Sequence, residues 1–213
     1  MYAQHGCLTR LRKTSTDTQP HVRDAAQCIA SEAVIGVTGK HQACKRSYNL
    51  ALLHFELPSV APTAVTSVAL SLNVTQVVGG GVDAVLYGLG DRGASEAEAL
   101  SRQSASDFYA GVADPAANAT LISSSFIRAD SIAHVPARVE HRSAALDAYI
   151  MSQLASGGGG RYISLRVSGS SFLGCESSCD EGCLLHRYRL LGSSVVLTVS
   201  TAALPPVSPP DPS

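Results

Sequence analysis

Three stretches of alternating apolar and polar residues lie between positions 50 and 89, and they constrain the fold more than any other feature of the chain. In the first stretch His54 and Glu56 stand opposite the apolar side chains, and in the second Ser71 and Asn73 do so. The apolar positions are Ala51, Leu53, Phe55 and Leu57 in the first stretch and Val68, Leu70, Leu72 and Val74 in the second. Because successive side chains of a strand point to opposite faces, this alternation predicts half-buried antiparallel strands.

Other segments extend this prediction to the whole chain. A helical turn is predicted near residues 95–100, where Glu96 and Glu98 favour the N-terminal end of a helix. One short helix is predicted near residues 144–155, ended by the glycines at 157–160. Its apolar face consists of Leu146, Tyr149, Ile150 and Leu154. Strands are predicted at residues 33–38, 49–57, 65–75, 82–89, 120–127, 132–140, 161–168 and 194–200, so the fold class is all-β.

The chain has 213 residues and no internal repeat, which suits a single β-domain with two extensions. Residues 1–22 are polar and lack periodicity, and they are predicted to form an irregular N-terminal arm. Residues 23–203 form the predicted domain. Residues 204–213, LPPVSPPDPS, are predicted to form an extended Pro/Ser-rich tail or linker.

Net charge excludes one class of partner. At −1 the chain lacks the basic excess that nucleic-acid binding requires. The first 50 residues are nevertheless basic, and two interpretations stay open: a solvated arm, or a docking segment for an acidic polysaccharide or a neighbouring subunit. No run of about 18 apolar residues occurs, so membrane insertion is not predicted.

Two N-glycosylation sequons favour the outside of the cell. Asn73 begins Asn-Val-Thr and lies on the polar face of its predicted strand, while Asn118 begins Asn-Ala-Thr in a loop. The first 15 residues contain no apolar signal segment, so an extracellular or cell-surface location requires that a leader has been removed.

Six cysteines are predicted to form disulfides in an oxidising compartment: Cys7, Cys28, Cys44, Cys175, Cys179 and Cys183. We expect Cys28 to pair with Cys44, and Cys7 with the cluster at 175–183. Spacing alone does not fix the connectivity.

A metal site is the alternative for the cysteine cluster. His186 could add a fourth ligand to Cys175, Cys179 and Cys183, but their spacing matches no zinc motif, and no metal is predicted. Many jelly rolls hold structural calcium through clustered oxygens. No D-x-D-x-D-G loop indicates it here, so structural calcium stays an open alternative and no cofactor is predicted.

The order of the strands resembles DNRLRE-type extracellular modules and related jelly-roll carbohydrate-binding modules. The segments that carry the resemblance are residues 35–39 (IGVTG), 47–57 (SYNLALLHFEL), 65–74 (VTSVALSLNV), 82–89 (VDAVLYGL), 105–111 (ASDFYAG) and 188–199 (YRLLGSSVVLTV). Glu56 stands where the family usually has Asp. The resemblance spans roughly residues 24–200 and implies an antiparallel two-sheet jelly-roll β-sandwich on a secreted or surface protein.

Sugar binding does not transfer directly from that family. Carbohydrate modules stack sugar rings on exposed aromatic side chains, and this chain has no Trp. The remaining candidates for a glycan-binding surface are Tyr109, Tyr162 and Tyr188, each of which has packing in the core as its simpler explanation.

Catalytic motifs are weak. No G-x-S-x-G elbow occurs, and the glycines at 157–160 follow a helix and lack the Lys of a phosphate-binding loop. The sequence therefore favours a non-catalytic extracellular glycoprotein module with a structural or adhesive role, such as a subunit of a surface filament or matrix. Its partners would be further copies or neighbouring matrix proteins. The first alternative is a carbohydrate-binding module attached to an enzyme or wall protein, and the second is an enzyme resembling a polysaccharide lyase.

Overall fold

The computed structural model describes residues 1–14, 21–22, 28–40, 45–79, 82–101, 119–132, 134–157, 159–169 and 187–202. Its strands are β1 (Tyr2–His5), β2 (Cys7–Thr14), β3 (His21–Val22), β4 (Glu32–Lys40), β5 (Lys45–Glu56), β6 (Val65–Val78), β7 (Ala84–Gly93), β8 (Thr120–Ile127), β9 (Ala137–His141), β10 (Tyr162–Gly169) and β11 (Arg187–Thr201). Helices α1 (Glu96–Ser101) and α2 (Ala144–Gly157) and two short 3-10 turns complete the described structure. The all-β prediction is confirmed.

All of the strand pairs are antiparallel, and they join into one nearly barrel-shaped sheet. The main path runs β8-β7-β10-β5-β4-β11-β6-β9. The long strand β5 pairs with β2 along one edge and with β4 and then β10 along the other. The long strand β11 likewise pairs with β6 on one edge and with β4 and β1 on the other. These two strands therefore connect the halves of the sheet.

The phase of the predicted strands is confirmed by their burial. The residues predicted to share an apolar face all lie in the main hydrophobic core, which also takes alternate residues from β7, β10 and β11: Ala51, Leu53, Phe55, Leu57, Val68, Leu70, Leu72 and Val74. Full burial of such a side chain contributes about 1.5–3 kcal/mol. Asn73 and Thr75 alternate with buried Leu72 and Val74 and are partly exposed, as their phase predicts.

Helix α2 forms as predicted, with Leu146, Tyr149, Ile150 and Leu154 buried. Ser143 precedes the helix, and its hydroxyl accepts a hydrogen bond from the backbone N–H of Leu146 at 3.2 Å. This is the N-cap interaction that satisfies one of the free amides at a helix start. The helical turn predicted near 95–100 is also confirmed, as α1.

Two side chains attach α2 to the sheet. Asp147 accepts a hydrogen bond from the backbone N–H of Val68 at 2.6 Å, and the Tyr149 hydroxyl accepts one from Gly90 at 2.8 Å. Gly88 makes room for the tyrosine ring, because a Cβ at this position would lie 2.2 Å from a ring carbon. The helix therefore bridges the beginning of β6 and the end of β7.

The prediction of an irregular arm at residues 1–22 is wrong. Strand β2 pairs with β5 from Cys7 to Thr14, and β1 pairs with β11. Leu8 and Leu11 are fully buried. The segment contains few apolar residues and no period-two pattern, since the two leucines lie on opposite faces of β2. Its backbone is paired only because distant strands lie beside it.

Two strand starts were also mispredicted. The structure begins β9 at Ala137, after a 3-10 turn and Pro136, whereas the sequence predicts a strand from residue 132. Strand β11 begins at Arg187, seven residues before the predicted start. Proline cannot donate a hydrogen bond in a sheet, which explains why β9 starts after Pro136.

Candidate functional site

The face of β2, β5 and β10 that points away from the main core carries a layer of buried polar side chains. This buried polar layer consists of Thr9, His54, Ser164 and Arg166, each at most 2% exposed. The strand register assembles it, because His54 on β5 lies directly opposite Ser164 on β10 and Cys7 on β2. The sequence predicts correctly that His54 faces away from the core, but not that this face is buried too.

His54 is the centre of a hydroxyl–imidazole–hydroxyl chain. Its Nδ1 lies 2.5 Å from the Ser164 hydroxyl, and its Nε2 lies 3.1 Å from the Thr9 hydroxyl. A neutral imidazole has one donor and one acceptor nitrogen, and a hydroxyl can complement either. Burial, with a further contribution from the charge of Arg92, lowers the pKa of His54 to about 4. The ring is therefore neutral at physiological pH.

A serine hydroxyl bonded to imidazole is the chemistry of an activated nucleophile. Here, however, the side chains of Ser164 and His54 lie 1% and 2% exposed, so a substrate has no surface from which to approach. Buried polar groups are costly unless they are hydrogen-bonded. The arrangement accordingly acts as a satisfied link between three strands.

Acidification tests this assignment. Lowering the pH from about 6.5 to about 4 should reduce the free energy of unfolding by roughly 3 kcal/mol. Between these values the unfolded histidine binds a proton that the folded one does not, so stability falls as the pH falls and levels off below the folded pKa. Urea unfolding across this range measures it. His54→Gln should remove this contribution and make the slope shallower, whereas His134→Gln, which changes an exposed histidine, should not. An unchanged slope in His54→Gln would contradict the assignment.

Arg166 belongs to the same layer. It is 1% exposed, and its guanidinium lies 4.4 Å from the centre of the Tyr87 ring on β7. Cation–π contact of this kind gains strength when both groups are removed from water. The sequence analysis missed Arg166, Ser164 and Thr9. The signal was present in β10, where Tyr162, Ser164 and Arg166 alternate with apolar residues.

A disulfide borders the buried polar layer. Cys7 at the start of β2 is bonded to Cys28, so both predicted pairings, Cys28 with Cys44 and Cys7 with the 175–183 cluster, are wrong. The predictions failed because they treated Cys7 as part of a loose arm, whereas β2 is a paired strand beside the segment that carries Cys28. Cys44, Cys175, Cys179, Cys183 and His186 lie outside the described residues.

Backbone hydrogen bonds hold the segment that contains Cys28. The N–H of Ile29 donates to the carbonyl of Leu8 at 2.8 Å. The N–H groups of Gly192 and Ser193 donate to the carbonyls of Ser31 and Ala30 at 2.9 and 3.0 Å. Residues 28–31 are thus fixed between β2 and β11, which places Cys28 beside Cys7.

A carboxylate lies against the disulfide. Glu96, the first residue of α1, places its Oε1 2.7 Å from the Sγ of Cys28. A disulfide sulfur carries no proton, so this contact is a hydrogen bond only when Cys28 is a thiol. The side chain of Glu98 serves the helix instead, because it accepts a hydrogen bond from the N–H of Ala94 at 2.9 Å while Ser95 caps Glu98. From the sequence, both glutamates were predicted alike to favour the start of a helix.

Two of the predicted glycan-binding tyrosines, Tyr162 and Tyr188, lie among the described residues, and they differ in exposure. Tyr188 is 1% exposed, and its hydroxyl donates to the Val82 carbonyl. Burial, together with the charge of Asp83, raises the pKa of Tyr188 to about 12. A ring in this position cannot stack on a sugar, so the prediction for Tyr188 is wrong. Tyr109 lies outside the described residues.

Tyr162 remains at the surface. It begins β10, is partly exposed, and lies opposite Glu56. Burial, followed by the charges of Glu56 and Glu96, raises its pKa. One aromatic ring flanked by carboxylates offers both an apolar face and hydrogen-bond acceptors, which are the groups that carbohydrate recognition uses.

The two sequons have different positions. Asn73 lies in β6 between β11 and β9, and its backbone N–H donates to the Ser194 hydroxyl at 2.7 Å. The sequon residue Thr75 donates to the Arg189 carbonyl at 3.4 Å. Asn118 lies outside the described residues. Glycosylation at both asparagines stays a prediction.

No known family model matches the chain, and no curated protein matches it significantly. Among the described residues, neither helix has the length and apolar character needed to cross a membrane.

Proposed function

We propose that this chain is a non-catalytic extracellular glycoprotein module of the jelly-roll type, with a structural or adhesive role as a subunit of a surface filament or matrix. The observation that carries the proposal is strand β8, which ends the main path of the sheet and contains no charged residue and no proline. The disulfide and the buried polar layer add to it.

The partners of the long strands support the proposal of a two-sheet arrangement. One set of neighbours is β8, β7, β10, β5 and β2, and the other is β9, β6, β11 and β1, with β4 joining them. Apolar residues from both sets belong to one core. Two sheets that face each other across a shared core and meet at β4 would give the sandwich that the sequence resemblance implies.

Strand β8 ends the main path of the sheet and, within the described residues, pairs only with β7. Its sequence, TLISSSFI, contains no charged residue and no proline. Leu121 is 49% exposed, and Ser124 is also exposed. Edge strands of this composition can accept a strand from another chain, and contacts of that kind that do not close generate filaments.

The opposite end of the path differs. Strand β9 has only five residues, and its exposed Arg138 and Glu140 carry charges. Pro136 stands directly before it. Short length, charge and proline are the means by which proteins protect a sheet edge. Because charge and proline occur at β9 and not within β8, the proposal gives the intermolecular role to β8.

The disulfide favours the extracellular location. Disulfides persist in oxidising compartments and are rare in the cytosol. Cys7 and Cys28 close a loop across 21 positions, for which loop-closure entropy contributes about 3 kcal/mol to stability. For an extracellular structural protein, such a bond stabilises the edge of the domain that contains β2.

Size-exclusion chromatography over a range of concentrations tests the role of β8. We expect the unaltered chain to elute as assemblies that grow with concentration and Ser124→Lys to elute as a monomer, because a lysine blocks edge pairing. Ser156→Lys, which places the same charge at an exposed position of α2, serves as the control and should assemble normally. A chain that stays monomeric throughout, or Ser124→Lys assembling like the control, would contradict the proposal.

Tyr162 favours a second candidate function, a carbohydrate-binding module. Its partly exposed ring lies near Glu56 and Glu96. Sedimentation with insoluble and acidic polysaccharides separates the two functions. Binding that Tyr162→Ala removes, in a chain that remains monomeric, would favour the carbohydrate-binding module.

A further inference from the structure

We propose that the reduced chain has a binding site for a zinc-class divalent cation, formed by Cys7, Cys28 and Glu96. The two sulfurs and a carboxylate oxygen lie within 4.8 Å of one another. Oxidation to the disulfide closes the site, so cation binding and the disulfide exclude each other. This inference goes beyond the proposed function and does not depend on it.

The set of ligand atoms fits a soft divalent cation. Thiolates bind Zn²⁺ at about 2.3 Å and carboxylate oxygens at about 2.0–2.2 Å, in a tetrahedral arrangement. Three protein ligands leave one position open, as in zinc sites that also hold water. Calcium and magnesium are disfavoured because they require oxygen ligands throughout. Cadmium shares the preference for sulfur and serves as a probe.

Reduction is the step that opens the site. A dithiol reductant supplies two electrons and two protons, the sulfur–sulfur bond breaks, and the reductant becomes a disulfide. Cys7 and Cys28 are then thiols. Cation binding releases both thiol protons to solvent, because thiolates are the ligands. Reoxidation expels the cation as the disulfide forms again.

Three separate elements supply the ligands. Cys7 begins β2, where it lies opposite His54 of β5. Cys28 precedes the segment held by Leu8 and Gly192 through backbone hydrogen bonds. These bonds do not involve the sulfurs, so reduction leaves the scaffold of the site in place.

The position of Glu96 is what distinguishes this site from an ordinary disulfide. Its Oε1 lies 2.7 Å from the Sγ of Cys28, which places an oxygen ligand directly beside the sulfur. When a cation displaces the proton of the Cys28 thiol to solvent, sulfur and oxygen can bind the same ion. Cys28 and Glu96 are exposed while Cys7 is buried, so a cation can enter from the side of Cys28.

Alkylation protection on the full chain tests the proposal. The chain is reduced with a phosphine, incubated with or without Zn²⁺, and alkylated, and the modification of each cysteine is followed by peptide mass spectrometry. We expect Zn²⁺ to slow alkylation of both Cys7 and Cys28 at least tenfold. Glu96→Gln should raise the apparent Kd for Zn²⁺ about tenfold or more, because loss of a group that binds or orients a metal has an effect of this size. Asp130→Asn, which changes an exposed carboxylate between β8 and β9, outside the site, should leave it unchanged.

A thermal melt of the reduced chain gives a second measurement. Zn²⁺ should raise the Tm of the reduced chain and of Asp130→Asn, but raise that of Glu96→Gln less. The oxidised chain should show no change at this site. Equal protection in Glu96→Gln and Asp130→Asn, protection limited to other cysteines, or a reduced chain that neither folds nor protects Cys7 and Cys28 in Zn²⁺ would overturn the proposal.

Discussion

Deleting residues 1–14 is expected to abolish cooperative folding. The deletion removes β1 and β2 and leaves one edge of β5 without its partner from Ser47 to His54. It also removes Leu8 and Leu11, both fully buried. Loss of a buried leucine costs about 2–5 kcal/mol. The free energy of unfolding of a domain is about 5–15 kcal/mol, so the loss of these two leucines alone removes much of it.

The measurement is urea unfolding followed by circular dichroism. Removal of residues 205–213 is the control, since the Pro-rich sequence of that tail predicts no part in a core. The single substitution Leu8→Ala should shift the free energy of unfolding by about 2–5 kcal/mol without preventing folding. A deletion variant that unfolds cooperatively with normal stability would show that β2 is dispensable.

Among glycine-to-alanine substitutions in the described residues, Gly192→Ala is expected to reduce the stability of the fold most. A Cβ at this position would lie 1.6 Å from the carbonyl oxygen of Ile29, which is backbone and cannot turn aside. The segment 28–31 would have to leave β11, breaking its hydrogen bonds to Gly192 and Ser193. We expect a loss of about 3 kcal/mol or more, since overpacking against backbone finds no side chain that can adjust.

The same substitution should reduce formation of the Cys7–Cys28 bond, because that segment positions Cys28. Urea unfolding and non-reducing peptide mapping measure the two effects. Ser193→Ala, which changes the exposed neighbouring residue, should alter neither. A Gly192→Ala variant within about 0.5 kcal/mol of the unaltered chain, with its disulfide complete, would show that the close approach of Ile29 is incorrect.

The sequence predicts the centre of the fold well and its first strands poorly, for a physical reason. Strands β5 and β6 alternate strictly, so period two alone determines which side chains enter the core. Strand β2 does not alternate, because Leu8 and Leu11 lie three positions apart and so on opposite faces. Its partner is β5, some forty positions away in the chain. Local pattern does not show that a distant strand covers a polar segment.

The same limit applies to the candidate site. The sequence alone singles out Tyr162 as a candidate for sugar binding and Glu96 as a helix-start residue. It does not show their neighbours in space, because those come from three strands and a helix. Cys7 meets Cys28 because β2 and the segment before β4 lie side by side, which no spacing of cysteines encodes. His54 was placed on the correct face, but its burial depends on what covers that face.

Electron microscopy of the native material tests the central claim most directly. If the chain is a structural subunit that joins through β8, ordered polymers with a regular axial repeat should be visible, and Ser124→Lys material should lack them. Isolated particles in both preparations, at concentrations where the chain binds a polysaccharide through Tyr162, would contradict the structural role and favour the carbohydrate-binding alternative.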